Sequence, residues 1–326
     1  MSEIDHLRWA VLGTGVIANQ MAQALQTMGR TLDAVGNRTH DKAVAFAEKY
    51  GVKKVYDDYT QMFTDPDIDV IYLTTPHNTH MAYLEKALSH GKHVLCEKSI
   101  TLNSEELARA KQLAADHGVV LAEAMTLYHM PLYHVLRERV ASGVLGKVNL
   151  IQLNFGSYKV YDMSNRFFNR DLAGGAMLDI GVYALSLARM FLESSPDQVK
   201  SFVRKAPTGV DESAAIAMMN QEGQLVTATL SLHSKQPKRA VISCEKGYIE
   251  IMEYPRADEA VIVDAETGAR ETVQAGRTAD ALVYELRDME KAIRGEGDML
   301  LDYTTDVMEL MTAMRREWGV SYPEEE

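Results

Sequence analysis

Short apolar runs alternate with amphipathic stretches through the first third of the chain. Trp9 to Leu12 is an apolar run of strand length, and Ile17 to Met28 then keeps apolar residues at helical spacing. The same reading predicts strands over Thr31 to Asn37, Val52 to Tyr56, Val70 to Thr74, His93 to Cys96 and Val119 to Ala122. Between them it predicts helices over Asp41 to Tyr50, closed by Gly51, over Met81 to His90, followed by Gly91, and over Ser104 to His117. Strands alternating regularly with helices call for a parallel sheet with right-handed crossovers.

Around Glu123 the rhythm changes. A helix over Pro131 to Ser142 precedes longer alternating segments: Val148 to Tyr158, Val199 to Arg204, Ser213 to Met219, Leu225 to His233, Arg239 to Cys244 and Tyr248 to Met252. Turns such as Gln221-Glu222-Gly223 separate them, which implies an antiparallel sheet. Thr304 to Trp318 reads as an amphipathic helix. The 326 residues exceed what one core usually supports, so we place a boundary at Glu123 to Ala124, with domains over 1–123 and 124–326. The expected fold is α/β: an N-terminal Rossmann domain with a parallel sheet, then an α/β domain with a large, mainly antiparallel open sheet.

Composition narrows the partners. A net charge of -12, with lysine and arginine dispersed, argues against nucleic acid. No apolar run approaches the roughly 18 residues of a membrane span, and the N-terminus lacks a basic segment leading into an apolar one, so a cytoplasmic location without a membrane partner is expected. Cys96 and Cys244 form no CxxC pair and read as free thiols, and the ten histidines form no HxH or HExxH group, so no metal is expected. The acidic end, Pro323 to Glu326, reads as a solvated, frayed terminus.

Three constellations carry chemistry. In Gly13-Thr14-Gly15-Val16-Ile17-Ala18, Gly13 allows a tight turn, Gly15 lets the backbone approach a pyrophosphate and Ala18 lets the helix pack close to its strand. Phosphates would then sit at the positive end of the helix beginning near Val16. About 20 residues further on, where NAD enzymes usually place an acid for the ribose 2′-hydroxyl, this chain has Asn37-Arg38-Thr39-His40. Arg38 offers a planar fork for a 2′-phosphate, which favours NADP while leaving NAD possible. A buried strand next delivers Glu97-Lys98 to its carboxyl end, where open α/β sheets bind ligands. Finally, Gly174 to Tyr183 holds Asp179 and Tyr183 four apart, so on a helix they share one face. A phenol with a pKa of about 10 needs a nearby cation to work at neutral pH, and Lys98 is the candidate.

With the glycine turn, Thr74-Thr75-Pro76-His77-Asn78-Thr79-His80, Glu97-Lys98 and the Gly-Gly-x-x-x-Asp-x-Gly-x-Tyr segment in this order, the chain resembles the Gfo/Idh/MocA oxidoreductase superfamily over nearly its whole length. Tyr183, where many members have histidine, is like the subgroup containing glucose-fructose oxidoreductase and dimeric dihydrodiol dehydrogenase, and Ala173 to Tyr183 is especially similar to the latter. The chain departs from the family pattern at Ser99, where proline is usual, and from that subgroup at Thr126 and Tyr128.

The resemblance implies a cofactor site of Gly13, Thr14, Gly15, Val16, Ile17, Arg38, Thr74, Thr75, Pro76, Asn78, His80, Glu97 and Lys98. It implies a catalytic set of Lys98, Asp179 and Tyr183, substrate contacts from Tyr158, Arg166, Asp179 and Tyr183, and a homodimer or homotetramer formed through the second sheet. The expected activity is hydride transfer between nicotinamide and a secondary alcohol or hemiacetal carbon of a sugar, polyol or diol. The rival expectations are a catalytically silent NADP-binding regulator and an NAD-linked inositol-type dehydrogenase.

Overall fold

A computed structural model describes residues 6–326. The chain divides into two compact units, one holding the residues up to Ala124 with Leu282–Leu301, the other Met125–Ala281 with Asp302–Glu326. The second domain read from sequence ran unbroken from 124 to 326. The structure instead returns Leu282–Leu301 to the first unit, where the indole Nε1 of Trp9 donates to Glu290 Oε1 at 2.9 Å and Arg30 pairs with the same carboxylate. Residues so far apart in sequence leave no local signal of this return.

The first unit is built on six parallel strands, β1 (Trp9–Leu12), β2 (Ala34–Gly36), β3 (Lys54–Tyr56), β4 (Val70–Leu73), β5 (His93–Glu97) and β6 (Leu121–Ala124). Their order is β3-β2-β1-β4-β5-β6, the doubly wound order in which the chain reverses direction between β1 and β4. Every residue of β1 and β4 is buried, which is why both appear in the sequence as unbroken apolar runs. Five helices alternate with the strands, α1 (Val16–Thr27), α2 (His40–Tyr50), α3 (Tyr59–Thr64), α4 (His80–Ser89) and α5 (Ser104–His117), and the returning segment adds a helix over Ala281–Ile293. The six residues of α3 are too few to register as a helical period. What starts it is Asp58, whose side chain accepts from the Thr60 N–H at 2.8 Å.

The second unit holds α6 (Pro131–Ala141), α7 (Val182–Phe191) and an eight-stranded sheet. Its strands are β7 (Val148–Gly156), β8 (Gln198–Lys205), β9 (Asp211–Met219), β10 (Leu225–Ser231), β11 (Gln236–Cys244), β12 (Gly247–Met252), β13 (Glu259–Asp264) and β14 (Arg270–Gln274), in the order β14-β13-β12-β11-β7-β10-β9-β8. Neighbours are antiparallel except β7 and β10, which run parallel. Sequence analysis missed β13 and β14, and β14 (Arg-Glu-Thr-Val-Gln) shows why: four of its five residues are polar and exposed.

Register decides which face of this sheet is core. Met218, Val226, Ile151, Ile242, Ile249 and Ile262 lie side by side across six strands and are all buried. The opposite face is open and carries Phe202 (82% exposed), Leu225 (48%) and Met252 (48%). Among the described residues, Arg170–Phe191 is long and apolar enough to cross a membrane by length and composition, but 78% of its apolar window is buried, which is where a core helix sits.

The terminus is exposed at Pro323, Glu324 and Glu326, as expected, but it is not frayed. Arg315, only 2% exposed, donates to both carboxylate oxygens of Glu325 at 2.8 and 3.0 Å, and Tyr322 is fully buried with its hydroxyl donating to Gly174 O at 2.7 Å. An acidic tail that looks solvated in sequence is pinned, because the cation it meets lies inside the unit.

Candidate active site residues

In the first unit the β1–α1 turn lies at the switch point between β1 and β4. Gly13 has φ +111°, and a Cβ there would stand 2.4 Å from Thr74 Oγ1; only glycine fits both the dihedral and the contact. Thr74 is itself fixed, its N–H and hydroxyl donating to Leu12 O at 2.9 and 3.0 Å. Ala18 is fully buried in the helix–sheet contact, as its motif position requires. Gly15 caps α1 without a side-chain hydrogen bond, no acid occupies the first turn, and nothing lies within 4 Å of where its Cβ would be. The helix therefore presents unsatisfied N–H groups and positive dipole to open space, with Val16 79% exposed beside them. Those features fit the pyrophosphate of a nicotinamide dinucleotide.

Arg38 is exposed just beyond β2, and Asn37 Nδ2 turns back to Thr39 O at 3.0 Å. The sequence shows no carboxylate in this loop, but the structure brings one to it: Asp57, from the end of β3, pairs with His40. Tyr59 also arrives, its ring 3.3 Å from where a Cβ on Gly36 would stand.

The turn carrying Lys98 is held from several sides. Tyr72 donates its hydroxyl to Glu97, and the Lys98 carbonyl accepts from His77 Nε2 at 2.9 Å. His80 is fully buried, with Nε2 2.8 Å from Thr75 O and Nδ1 3.0 and 3.2 Å from Ser99 O and Ile100 O. Burial holds its pKa below the ordinary imidazole value, against the pull of those carbonyls. A neutral ring has a single N–H to share between them. His80 thus ties the turn before α4 to the turn that carries Lys98. Glu123, 1% exposed at β6, accepts the Ile100 N–H at 3.0 Å, and the Lys98–Ser99 peptide is cis.

Thr75 and Pro76 precede the 3-10 turn His77–Thr79, which holds Asn78 and leads into α4, and Thr79 Oγ1 donates to Thr75 Oγ1 and Pro76 O, both at 2.7 Å. Tyr72, His77 and Glu123 were missed. Their sequence signals are a hydroxyl on a buried strand (Tyr72), a histidine in the turn after it (His77) and an acid in an otherwise apolar strand (Glu123), none of which marks a particular partner.

In the second unit Tyr183 lies in the first turn of α7 and Asp179 just before it. The segment Met177–Gly181 is π-helical, so the α-helical spacing assumed for Asp179 and Tyr183 does not hold. Tyr183 packs on Phe155 of β7, ring centroids 6.0 Å apart. Arg166 approaches Asp179 at 3.9 Å and stacks its guanidinium 4.1 Å over Phe167. Tyr158, 61% exposed, stacks on His233 at 5.5 Å. Thr126 and Tyr128 are buried, with Thr126 Oγ1 donating to Pro255 O at 3.3 Å.

The glycines of the motif have steric causes. A Cβ on Gly174 would meet three backbone carbonyls at 2.7 to 2.9 Å, and Gly175, at φ +127°, would place one 2.3 Å from Asp211 Oδ1. Burial pushes the Asp211 carboxyl up to about 7, against the Met177 N–H and the charge of Arg315.

Comparison with known proteins agrees with this architecture. A model of an oxidoreductase family with an NAD-binding Rossmann fold matches residues 7–125, and a GFO/IDH/MocA C-terminal domain model matches residues 133–250. A trans-1,2-dihydrobenzene-1,2-diol dehydrogenase of Xenopus laevis is 31% identical over 263 residues, covering 79% of each chain. The Homo sapiens enzyme of that name is 26% identical over 339 residues, covering 98% of this chain and 99% of its own. Among solved structures, levoglucosan dehydrogenase in complex with NADH and levoglucosan superposes with a TM-score of 0.86 at 19% identity, covering 96% of each chain. A 3-ketoreductase from Actinomadura kijaniata in complex with NADP and TDP-benzene gives 0.84 at 21%, covering 95% of this chain and 97% of its own. The chain belongs to the Gfo/Idh/MocA family of NAD(P)-binding oxidoreductases.

Proposed function

We propose that this protein is an NADP-preferring dehydrogenase or reductase acting on a secondary alcohol or hemiacetal CH–OH group of a sugar, polyol or diol. The observation that carries this reading is the lysine turn: Lys98 stands at the carboxyl end of a Rossmann strand, on a backbone gripped by His77 and His80 beside a Glu97 held by Tyr72. A regulator that only bound the dinucleotide would need neither that lysine nor Tyr183. The relatives named for a diol, and the neighbour named for levoglucosan, support the substrate class.

Bound nicotinamide would supply the hydride acceptor in oxidation and the donor in reduction. Tyr183 takes the hydroxyl proton as the substrate carbon loses hydride, and returns it in the reverse direction. The Lys98 ammonium lowers the phenol's pKa and stabilises the developing alkoxide, and Asp179 binds substrate hydroxyls or holds Lys98. Glu97 positions the lysine and the nicotinamide ribose. The test is a titration with NADPH and NADH, followed by a screen of sugars, polyols and diols for cofactor reduction.

Arg38 carries the NADP preference. Arg38→Ala is expected to weaken NADPH binding by about tenfold or more, the worth of a charge-assisted hydrogen bond, while NADH binding changes little. Equal losses for both cofactors, measured by fluorescence titration, would remove Arg38 from the 2′-phosphate. Asp57, paired with His40 at the same loop, favours a second reading in which NADH is also accepted.

The open face of the second sheet is proposed as a self-association surface. Phe202→Asp is expected to lower the mass found by light scattering to that of a monomer. A mass unchanged by the substitution would place any oligomer contact elsewhere.

A further inference from the structure

β9 opens with two adjacent buried acids, Asp211 (0% exposed) and Glu212 (1%). Carboxylates are rarely this deep unless paired, and an apolar residue of similar volume commonly costs less. Each grips a different element. Asp211 Oδ2 accepts the Met177 N–H at 2.6 Å, at the start of the π-helical segment, while Oδ1 lies against Gly175. Tyr322 steadies the same turn beside Asp211 through its bond to Gly174 O, and is itself held by Arg315 and Glu325. Glu212 Oε2 accepts the Tyr161 hydroxyl at 2.6 Å, and Oε1 accepts Arg204 Nε at 2.8 Å. Tyr161 packs at 4.4 Å on His233, the ring on which Tyr158 stacks. Successive strand residues project to opposite sides, which lets neighbours in sequence hold two separate elements.

We infer that Asp211 and Glu212 are the positioning residues of the substrate-binding unit: Asp211 fixes the helical segment carrying Asp179 and Tyr183, and Glu212, through Tyr161, fixes the loop carrying Tyr158 and Arg166. This rests on the roles proposed above for Tyr183 and Arg166. Because Asp211 controls the segment bearing the proton-transfer group, it sets turnover. Because Glu212 controls the loop that meets substrate, it sets affinity.

The experiment compares Asp211→Asn and Glu212→Gln, with Tyr322→Phe and Tyr161→Phe as milder variants that remove one hydroxyl from each side. Asp211→Asn keeps an oxygen to accept the Met177 N–H but removes its charge, and should lower kcat about fivefold, the difference between a hydrogen bond to a charged and to a neutral acceptor, with a smaller rise in KM through Asp179. Tyr322→Phe should act in the same sense but less. Glu212→Gln and Tyr161→Phe should raise KM about tenfold and leave kcat within about twofold. Kinetics are read with the substrate of highest turnover in the screen. Hydrogen–deuterium exchange provides the second readout: faster exchange confined to 176–183 in the Asp211 and Tyr322 variants, and to 158–169 in the Glu212 and Tyr161 variants, with NADPH affinity unchanged throughout.

A fall in kcat matched by an equal-fold rise in KM in every variant, exchange rising in both segments together, or no change in either would overturn the assignment. If the wild type turns over no compound, the catalytic roles of Lys98 and Tyr183 fall, and the exchange maps still decide whether the two acids hold separate elements. If Asp211→Asn or Glu212→Gln fails to fold, the two phenylalanine variants decide by the same criteria.

Discussion

Lys98→Met and Tyr183→Phe are each expected to lower kcat by about 10²- to 10⁴-fold, the range typical of removing a general acid–base group or a charge aimed at a developing oxyanion. NADPH affinity should change by less than about tenfold, since the pyrophosphate cradle at Gly13 to Ile17 and the Arg38 loop are untouched by either substitution. The two losses should not add. If Lys98 acts by lowering the phenol's pKa, removing the phenol already forfeits that contribution, and the double variant falls little below the weaker single one. The check is kcat and KM for the three variants, with cofactor dissociation constants measured in parallel. Turnover within a fewfold of wild type in either single variant would end the acid–base assignment.

Gly175→Ala is expected to destabilise the second unit by about 3 kcal/mol. Part is the dihedral: φ +127° costs an L-residue of order 1–2 kcal/mol. The remainder is the overlap of the new methyl with Asp211 Oδ1, whose carboxyl is buried and tied to Met177, so that relief needs backbone movement of the kind that costs about 1–3 kcal/mol. Gly209→Ala is the control. Gly209 has φ +91° with nothing within 4 Å of its Cβ position, so it should show only the dihedral part. Urea unfolding followed by fluorescence measures both, and equal midpoints for the two variants would show that the Gly175–Asp211 contact carries no energy.

Much of the site was legible because its signals are local. Gly13, Gly15 and Ala18 announce a strand, a turn and a helix within ten residues, and the structure supplies the switch point they imply. Lys98 was readable as the terminus of an apolar strand. What holds Lys98 was not: His77 and His80 lie about twenty residues earlier, and as single histidines they do not show that their rings face three backbone carbonyls of a later turn. The paired spacing of Asp179 and Tyr183 misled, because four residues mean one face only if the helix is α, and a π segment cannot be told from an α one by apolar periodicity.

The largest gap is the Asp211–Glu212 pair. In sequence the pair falls just before the strand expected from Ser213, where acids are usually solvated. Only the packing of Gly175, Tyr161 and the chain end around it shows both carboxylates buried. The last residues give the complementary case: three consecutive glutamates suggest a solvated tail until the buried Arg315 is seen to hold one of them.

The sequence by itself determined the strand–helix alternation of the first unit, most strands of the second, the phosphate-binding turn and the chemical types present at the candidate site. Periodicity and glycine placement are properties of neighbouring residues, and they survive in any context. The tertiary structure decided the return of Leu282–Leu301 to the first unit, the arrival of Asp57 at the Arg38 loop and the burial of the acids and histidines that position the candidate groups. Those depend on which distant residues meet and on the loss of water around a charge, and no local pattern encodes either.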